Sequence, residues 1–411
     1  MTADRVGIEA MHTYAGVAYI AMEDLFTGRG LDRSRMDNLG MTERSVGLPF
    51  EDPVTNAVNA ALPLVAQLTE QDRARIECLV VTTESGLDLS KSVTSYVHQF
   101  LGLSRQCRML EVKQACYSAT GSLQLVAGLL ASGMASDAKA LLIGTDVTLV
   151  DERAQYAEGC TGHGAVAMVV STDNPTVLAL DPGAYGNYGY EVLDSARPTP
   201  TTDIANPDES LFTYLDCLEQ SFDDYCSRVA GADLRTTFGQ LAFHTPFAGL
   251  VKAGHRNLMR RAGASAAEIA EDFHCRLGAG LTYPRRTGNL CSASVFLALA
   301  SIIENADLEA ATRVGLYSYG SGCCSEFFSG VIAADAPQHL AGDLGAALDA
   351  RRRLDWGEYL SLLKESSSVL EPIERRQVDL THTDVVGNRT GRQPFLAWTG
   401  TDAHKRTYDW L

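Results

Sequence analysis

Apolar residues fall along this chain in two kinds of run. Short continuous ones, Ile76-Glu77-Cys78-Leu79-Val80-Val81-Thr82, Leu141-Leu142-Ile143 and Gly164-Ala165-Val166-Ala167-Met168-Val169-Val170, read as strands buried on both faces. Longer stretches repeat apolar residues every three or four positions. Val54, Val58, Ala61, Leu62 and Val65 predict a helix over 53–68. Val93, Tyr96, Val97 and Phe100 predict a second, stopped by Gly102, and Leu123, Val126, Ala127 and Leu130 a third. Strands alternating with helices at this spacing predict an α/β sheet covered on both faces.

The second half repeats the order weakly. A helix carries Leu211, Tyr214, Leu215, Leu218, Phe222 and Tyr225, and the strand Gln240–Phe243 ends in His244-Thr245-Pro246. One helical region follows over 248–276, and Gly288-Asn289-Leu290-Cys291 opens an apolar helix reaching Ile303. Strands around Val314–Tyr319 and Phe327–Ile332 close the pattern. An internal duplication accounts for this economically, with residues 1–172 as one half and 173–411 as the other. The tail from 336 onward, with Arg351-Arg352-Arg353 and a strand-like Phe395–Trp398, reads as an extension of the second half without chemistry.

Composition narrows the possibilities. The 411 residues, 45% hydrophobic and 21% charged, describe an ordinary globular chain with a large core. No apolar run is long enough for a membrane span, and Met1-Thr2-Ala3-Asp4-Arg5 has no signal-peptide pattern. The ten cysteines show no Cys-x-x-Cys pair, so neither a metal site nor a disulfide framework is expected, and a reducing cytoplasm fits. The vicinal Cys323-Cys324 reads as strand core. A net charge of −17 disfavours nucleic acid and anionic membranes.

Candidate chemistry lies where strands end, because ligands of such sheets sit beyond the strands' carboxyl ends. Cys116 follows a β-leaning run and immediately precedes the third helix, a setting that favours a thiolate. Glu84, His244 and Asn289 occupy comparable places. A thiolate can take an acyl group from a thioester, and a carboxylate shielded from water gains proton affinity, which suits it to deprotonate carbon. Alternatively, Glu84 and Asn289 cap helices and His244 is a hydrogen-bonded core residue. His98, His255 and His274 lie within helical stretches and read as structural.

At these residues the chain resembles the 3-hydroxy-3-methylglutaryl synthases, members of the thiolase superfamily. The resemblance is carried by Thr83-Glu84-Ser85-Gly86, Ala115-Cys116-Tyr117, Phe243-His244-Thr245-Pro246-Phe247, Gly288-Asn289-Leu290 and Ser318-Tyr319-Gly320-Ser321-Gly322. It implies a thiolase-like five-layered αβαβα fold of two duplicated halves and a homodimer. It further implies that Cys116 accepts acetyl, Glu84 deprotonates the acetyl methyl, and His244 polarises the acceptor's β-ketone. Asn289 would help hold the acceptor, and backbone N–H groups near Cys116, Gly320 and Ser321 would form the oxyanion site.

Departures from the enzymes that use coenzyme A are informative. Their aromatic pair is replaced in Asp194-Ser195-Ala196-Arg197-Pro198, an expected tyrosine is Val150, and an expected lysine is Gly249, although Lys252 remains. These changes resemble the polyketide β-branching branch, leaving Ser195, Arg197 and Lys252 as substrate-contact candidates. That branch implies acyl-phosphopantetheine thioesters as substrates, donor and acceptor acyl carrier proteins as partners, and no permanently bound cofactor or metal. Acidic carrier proteins would need a local basic patch, for which the candidates are Arg33 with Arg35, the group Lys252, Arg256, Arg260 and Arg261, and Arg285-Arg286. Competing readings are a primary-metabolism enzyme acting on acetyl-coenzyme A, an initiating ketoacyl synthase that needs no Glu84, and a silent thiolase-fold partner.

Overall fold

The computed structural model describes residues 5–133, 137–150, 152–387 and 394–411, so the Met1–Asp4 opening lies outside the described residues. Nine strands are Gly7–Tyr14 (β1), Ile76–Thr82 (β2), Arg108–Val112 (β3), Lys139–Val147 (β4), His163–Ser171 (β5), Leu178–Gly189 (β6), Gln240–Phe243 (β7), Thr312–Gly320 (β8) and Cys324–Ile332 (β9). They pair in the order β7-β8-β9-β6-β1-β5-β4-β2-β3. At each end the pairs β7/β8, β2/β4 and β2/β3 are parallel. The pairs between them are antiparallel. The junction of β1 with β6 is short, two residue pairs from Gly7↔Ala179 to Ile8↔Leu178.

Alternation sorts the apolar strands into two cores. Leu79, Val81, Leu141, Ile143, Tyr317 and Phe327 belong to one. Cys78, Val80, Leu142, Val314, Leu316 and Phe328 belong to the other, since successive side chains of a strand face opposite ways. The first core is covered by helices Pro53–Gln67 (α1), Val93–Leu101 (α2), Pro207–Arg228 (α4) and Ala248–Arg261 (α5). Helices Ser118–Ala131 (α3) and Ser294–Asn305 (α7) fill the second. Inner helices, a sheet region on either side and outer helices make the five layers of a thiolase-like fold.

Local signals set the boundaries. Asp52 and Thr55 form a capping box under α1, and Gly102 ends α2 in the left-handed region at φ +58°. The helix expected over 248–276 is two. Gly263, at φ +77°, breaks it, and the Ser265–Glu268 capping box starts Ala266–Leu277 (α6). Cys324 opens β9 and Cys323 precedes it, buried. The tail packs on the N-terminal part of the chain: Arg352 and Arg353 pair with Ala18 and Tyr19. Arg406 Nη1 and Tyr408 Oη donate to Asp52 at 2.9 and 2.8 Å.

Candidate active site

Glu84 follows β2, Cys116 follows β3, Asp146 ends β4, His244 follows β7 and Ser321 follows β8. The topology therefore delivers the sequence candidates to the carboxyl ends of the parallel strands. Two turns shape the centre. Ala115 has φ +44° just before Cys116, and Cys291 has φ +49° just before α7. Non-glycine residues avoid this region, so the surrounding contacts must hold both turns in place.

The close approach of β8 is one such contact. A Cβ at Gly320 would stand 2.6 Å from the Gln114 carbonyl oxygen and 2.7 Å from the Tyr117 nitrogen. Only a glycine lets the β8 loop seat against the cysteine turn. Asp194, fully buried, holds that loop by accepting from Tyr319 Oη at 2.6 Å and the Gly322 N–H at 2.9 Å. Tyr117 Oη donates to Glu326 at 2.7 Å, as does Gln124, tying the start of α3 to β9. Burial pushes the Glu326 carboxyl up to about 7.

The thiol of Cys116 donates to Glu84 Oε1 at 3.9 Å, and Cys291 Sγ joins them with the three ligand atoms within 4.8 Å of one another. A hydrogen bond with Cys291 favours the Cys116 thiolate, but burial and the charges of Glu84 and Asp146 outweigh it, so its pKa is raised. The thiolate expected at a helix N-terminus is thus a neutral thiol at rest, because burial, and after it two nearby acids, oppose the dipole. Asp146 is the hub behind this group. It accepts from Thr83 Oγ1, the Glu84 N–H and Ser85 Oγ at 2.8–3.1 Å. Its other oxygen takes the Ser292 N–H and hydroxyl at 3.1 and 2.8 Å. Burial and the Glu84 charge raise it to about 7.

His244 and Asn289 carry no charge. His244 is buried, with its pKa lowered by desolvation to about 3, so its imidazole is neutral. Its backbone is pinned by an N–H to Tyr317 O at 2.7 Å and by Tyr214 Oη on its carbonyl at 2.8 Å. Nδ1 has no hydrogen-bond partner among the described residues. Asn289 accepts the Cys291 N–H on Oδ1 at 2.9 Å, and its backbone bridges to Thr161.

The remaining candidates separate. Arg197 reaches the Glu84 loop, donating to Ser85 Oγ at 3.2 Å while Asp203 holds its Nε at 2.7 Å. Ser195 is exposed in the Ser195–Thr199/Thr202–Ala205 hairpin. Lys252, Arg256 and Arg260 are exposed at four-residue spacing on α5, one face of a helix. Arg33 is exposed with a loose 3.6 Å pair to Glu23, and Arg35 lies over the Tyr156 ring. Arg261 is already paired with Asp223, and Arg286 with Glu43 and Asp349, which removes Arg285-Arg286 as a free basic pair. A side chain at Gly249 would stand 1.8 Å from the Asn38 carbonyl, so this position has no room for the lysine that the resemblance leads one to expect. His255 is structural, bonded to Asp272 at 2.6 Å.

Sequence reasoning missed Asp146, Asp194 and Cys291 as members of the site. Asp146 and Asp194 each carried a signal, an acid at a strand end and an acid heading a motif; nothing in the spacing of Cys291 from Cys116 gave one.

Comparison with known proteins agrees with this geometry. Profiles described as hydroxymethylglutaryl-coenzyme A synthase N terminal and C terminal match residues 2–175 and 258–384. The Bacillus subtilis polyketide biosynthesis 3-hydroxy-3-methylglutaryl-ACP synthase PksG is 42% identical over 98% of this chain and 99% of its own. The Enterococcus faecalis hydroxymethylglutaryl-CoA synthase is 33% identical over 88% of this chain and 92% of its own. Among solved structures, the curacin biosynthetic pathway HMG synthase in complex with holo donor-ACP superposes with a TM-score of 0.94 at 44% identity, covering 99% of this chain and 100% of that one. Full-length similarity of this kind, together with a site where Glu84, Cys116, Cys291 and Asn289 meet, means that the chain belongs to the hydroxymethylglutaryl-CoA synthase family.

Proposed function

We propose that this enzyme installs a carboxymethyl branch on a polyketide intermediate, using acetyl and β-ketoacyl groups both carried by acyl carrier proteins. The observation that carries this reading is the identity of 42–44% to a synthase named for its ACP substrate and to one solved with donor-ACP, against 33% to a coenzyme A enzyme. The Gly249 contact, which excludes a lysine, supports it.

The residues divide the work. The Cys116 thiol passes its proton through Glu84 to the departing phosphopantetheine sulfur and becomes the acetyl thioester. Glu84, a carboxylate again, removes a proton from the acetyl methyl, while N–H groups of the cysteine turn and of the Gly320-Ser321 loop hold the enolate oxygen. The carbon attacks the acceptor ketone, which His244 polarises with a neutral N–H and Asn289 helps to hold. The alkoxide takes back the proton held by Glu84. Water then cleaves the Cys116 thioester, releasing a carboxylate and restoring the thiol, so acyl becomes alkyl on transfer. Arg197 stands against the Glu84 loop through Ser85, with Ser195 two residues before it, and Lys252, Arg256 and Arg260, with Arg33 and Arg35, offer positive charge to acidic carrier proteins. Residues 1–172 and 173–411 act as the two duplicated halves.

A homodimer fits the exposed edge strand β3, whose Met109 and Leu110 are 45% and 54% exposed. A second copy pairing there would cover both. Among the described residues no helix is long and apolar enough to cross a membrane. The deciding experiment offers acetyl- and β-ketoacyl-carrier proteins and their coenzyme A counterparts, with both carriers read by mass spectrometry. The branched acyl group should appear on the acceptor carrier; equal or faster turnover of the coenzyme A pair would sink the proposal.

A further inference from the structure

Cys291 takes no part in the reaction as derived, yet its sulfur stands beside the two groups that do the chemistry. Glu84, Cys116 and Cys291 present one carboxylate oxygen and two sulfurs within 4.8 Å of one another, with Cys116 Sγ and Glu84 Oε1 at 3.9 Å. A tetrahedral zinc ion, with Zn–S of about 2.3 Å and Zn–O of about 2.0–2.2 Å, sets its sulfur and oxygen ligands about 3.5–3.8 Å apart. The observed separations approach those edges, so small side-chain rotations would complete three corners and leave the fourth to water.

The turns that hold these ligands are prearranged. Cys291 is fixed at φ +49°, its N–H taken by Asn289 Oδ1, while Asp146 anchors both the Glu84 N–H and Ser292 beside Cys291. Two thiolates and a carboxylate select a borderline-soft divalent cation over magnesium, which demands oxygen ligands. Among the described residues no other set of three such ligands comes together.

We propose that Glu84, Cys116 and Cys291 form a binding site for zinc or a similar thiophilic divalent cation, and that occupancy switches the enzyme off. On binding, the two thiol protons pass to solvent and each sulfur donates a lone pair to the cation, with no change of oxidation state. The metal and an acetyl group then compete for the same Cys116 sulfur. Inhibition, unlike binding, rests on the catalytic roles proposed above.

Cobalt(II) reads binding without turnover, through the intensity of its thiolate charge-transfer and tetrahedral d–d absorption. The full-length protein, reduced and freed of metal, should take one equivalent of Co²⁺ with a two-thiolate spectrum, and Zn²⁺ should displace it. Cys291→Ala should weaken binding at least tenfold. Should that variant not fold, wild-type protein alkylated on Cys116 must lose the spectrum equally. The buried Cys217/Cys323 pair, sulfurs 3.6 Å apart, is present in every sample and so cannot account for a difference. Zn²⁺ should slow acetylation of Cys116 at least tenfold, reversed by a chelator and not reproduced by Mg²⁺. A cobalt spectrum absent from the wild type, or unchanged by both Cys291→Ala and Cys116 alkylation, overturns the site. A normal spectrum with undiminished acetylation at saturating Zn²⁺ overturns the switch while leaving the condensation chemistry to its own test.

Discussion

The cysteine turn before α3 and the asparagine turn before α7 are built alike and serve opposite ends. Each holds a non-glycine residue at positive φ and launches a buried inner helix. In the first, the strained residue is Ala115 and the next residue is the half-buried Cys116. In the second, the strained residue is itself a cysteine, and it is buried. The groups around them differ in kind. Glu84 and Asp146 bear on both turns and raise both thiols, whereas His244 and Asn289 add neutral groups. One backbone device is thus used twice; in the proposed mechanism the first turn presents the nucleophile beside its base and the second places Asn289 to hold the acceptor.

The largest break in this asymmetry should come from Glu84→Gln. Condensation should fall roughly 10²–10⁴-fold, the usual worth of a positioned base, while acetylation of Cys116 still reaches completion. Loss of the relay through Glu84 should slow acetylation, while removing that charge lowers the thiol's proton affinity, so the rise of acetylation with pH should begin at a lower pH. Intact-mass measurement across pH reads both effects, and surviving condensation would remove Glu84 from the mechanism.

Asp146→Asn tests whether the acidic half is organised from behind. Its two oxygens serve five donors, and an amide keeps the shape while replacing one acceptor with a donor. Turnover should drop about 10–100-fold, and stability by about 1–3 kcal/mol from buried donors left unpaired. With one of the charges that oppose the thiolate removed, acetylation should again shift to lower pH. A wild-type pH profile would show that Asp146 positions without tuning.

Much of this site was legible in the sequence, and the limits have physical causes. The continuous apolar strands and the helix behind Cys116 follow from local periodicity, and strand ends point to where ligands sit. The break at Gly263 was hidden because helical spacing resumes behind it, with only a turn residue and a capping serine to mark it. Cys291 was unreadable because its meeting with Cys116 depends on how segments far apart in the chain pack together. The neutral thiol was missed for a related reason: the helix dipole is local, but burial of the thiol and the approach of Glu84 and Asp146 come from the tertiary fold. The tail's attachment to Asp52 and Tyr19 is likewise a tertiary fact.

Gly320→Ala probes the seam between the two turns. An added methyl must displace the Gln114 carbonyl or the Tyr117 nitrogen, at an expected cost of about 1–3 kcal/mol. Because the displaced atoms carry Cys116, acetylation should slow about tenfold even in protein that remains folded. Unchanged acetylation with a lowered melting temperature would make Gly320 purely a packing residue.

The smallest effect concerns the neutral side. His244 has a folded pKa near 3 against 6.5 for the free side chain, with desolvation as the cause. Its depressed value means the unfolded chain binds the extra proton first. Its contribution to stability is therefore complete above pH 6.5 and declines as pH falls toward 3. At pH 5 the loss is about 2 kcal/mol, at 1.36 kcal/mol for each pH unit below 6.5. Carboxylates held near 7 by burial, Asp146 and Glu326, have the opposite slope, because the folded state binds their protons more tightly. The comparison that isolates His244 is the difference in stability between wild type and His244→Gln at pH 7 and pH 5, with the carboxylates common to both. The gap should close by about 2 kcal/mol on acidification, and the His244 ring signals should show no titration between pH 5 and 8. A titration midpoint near 6 would give that half of the site a charge, and the division between an acidic side and a neutral one would no longer hold.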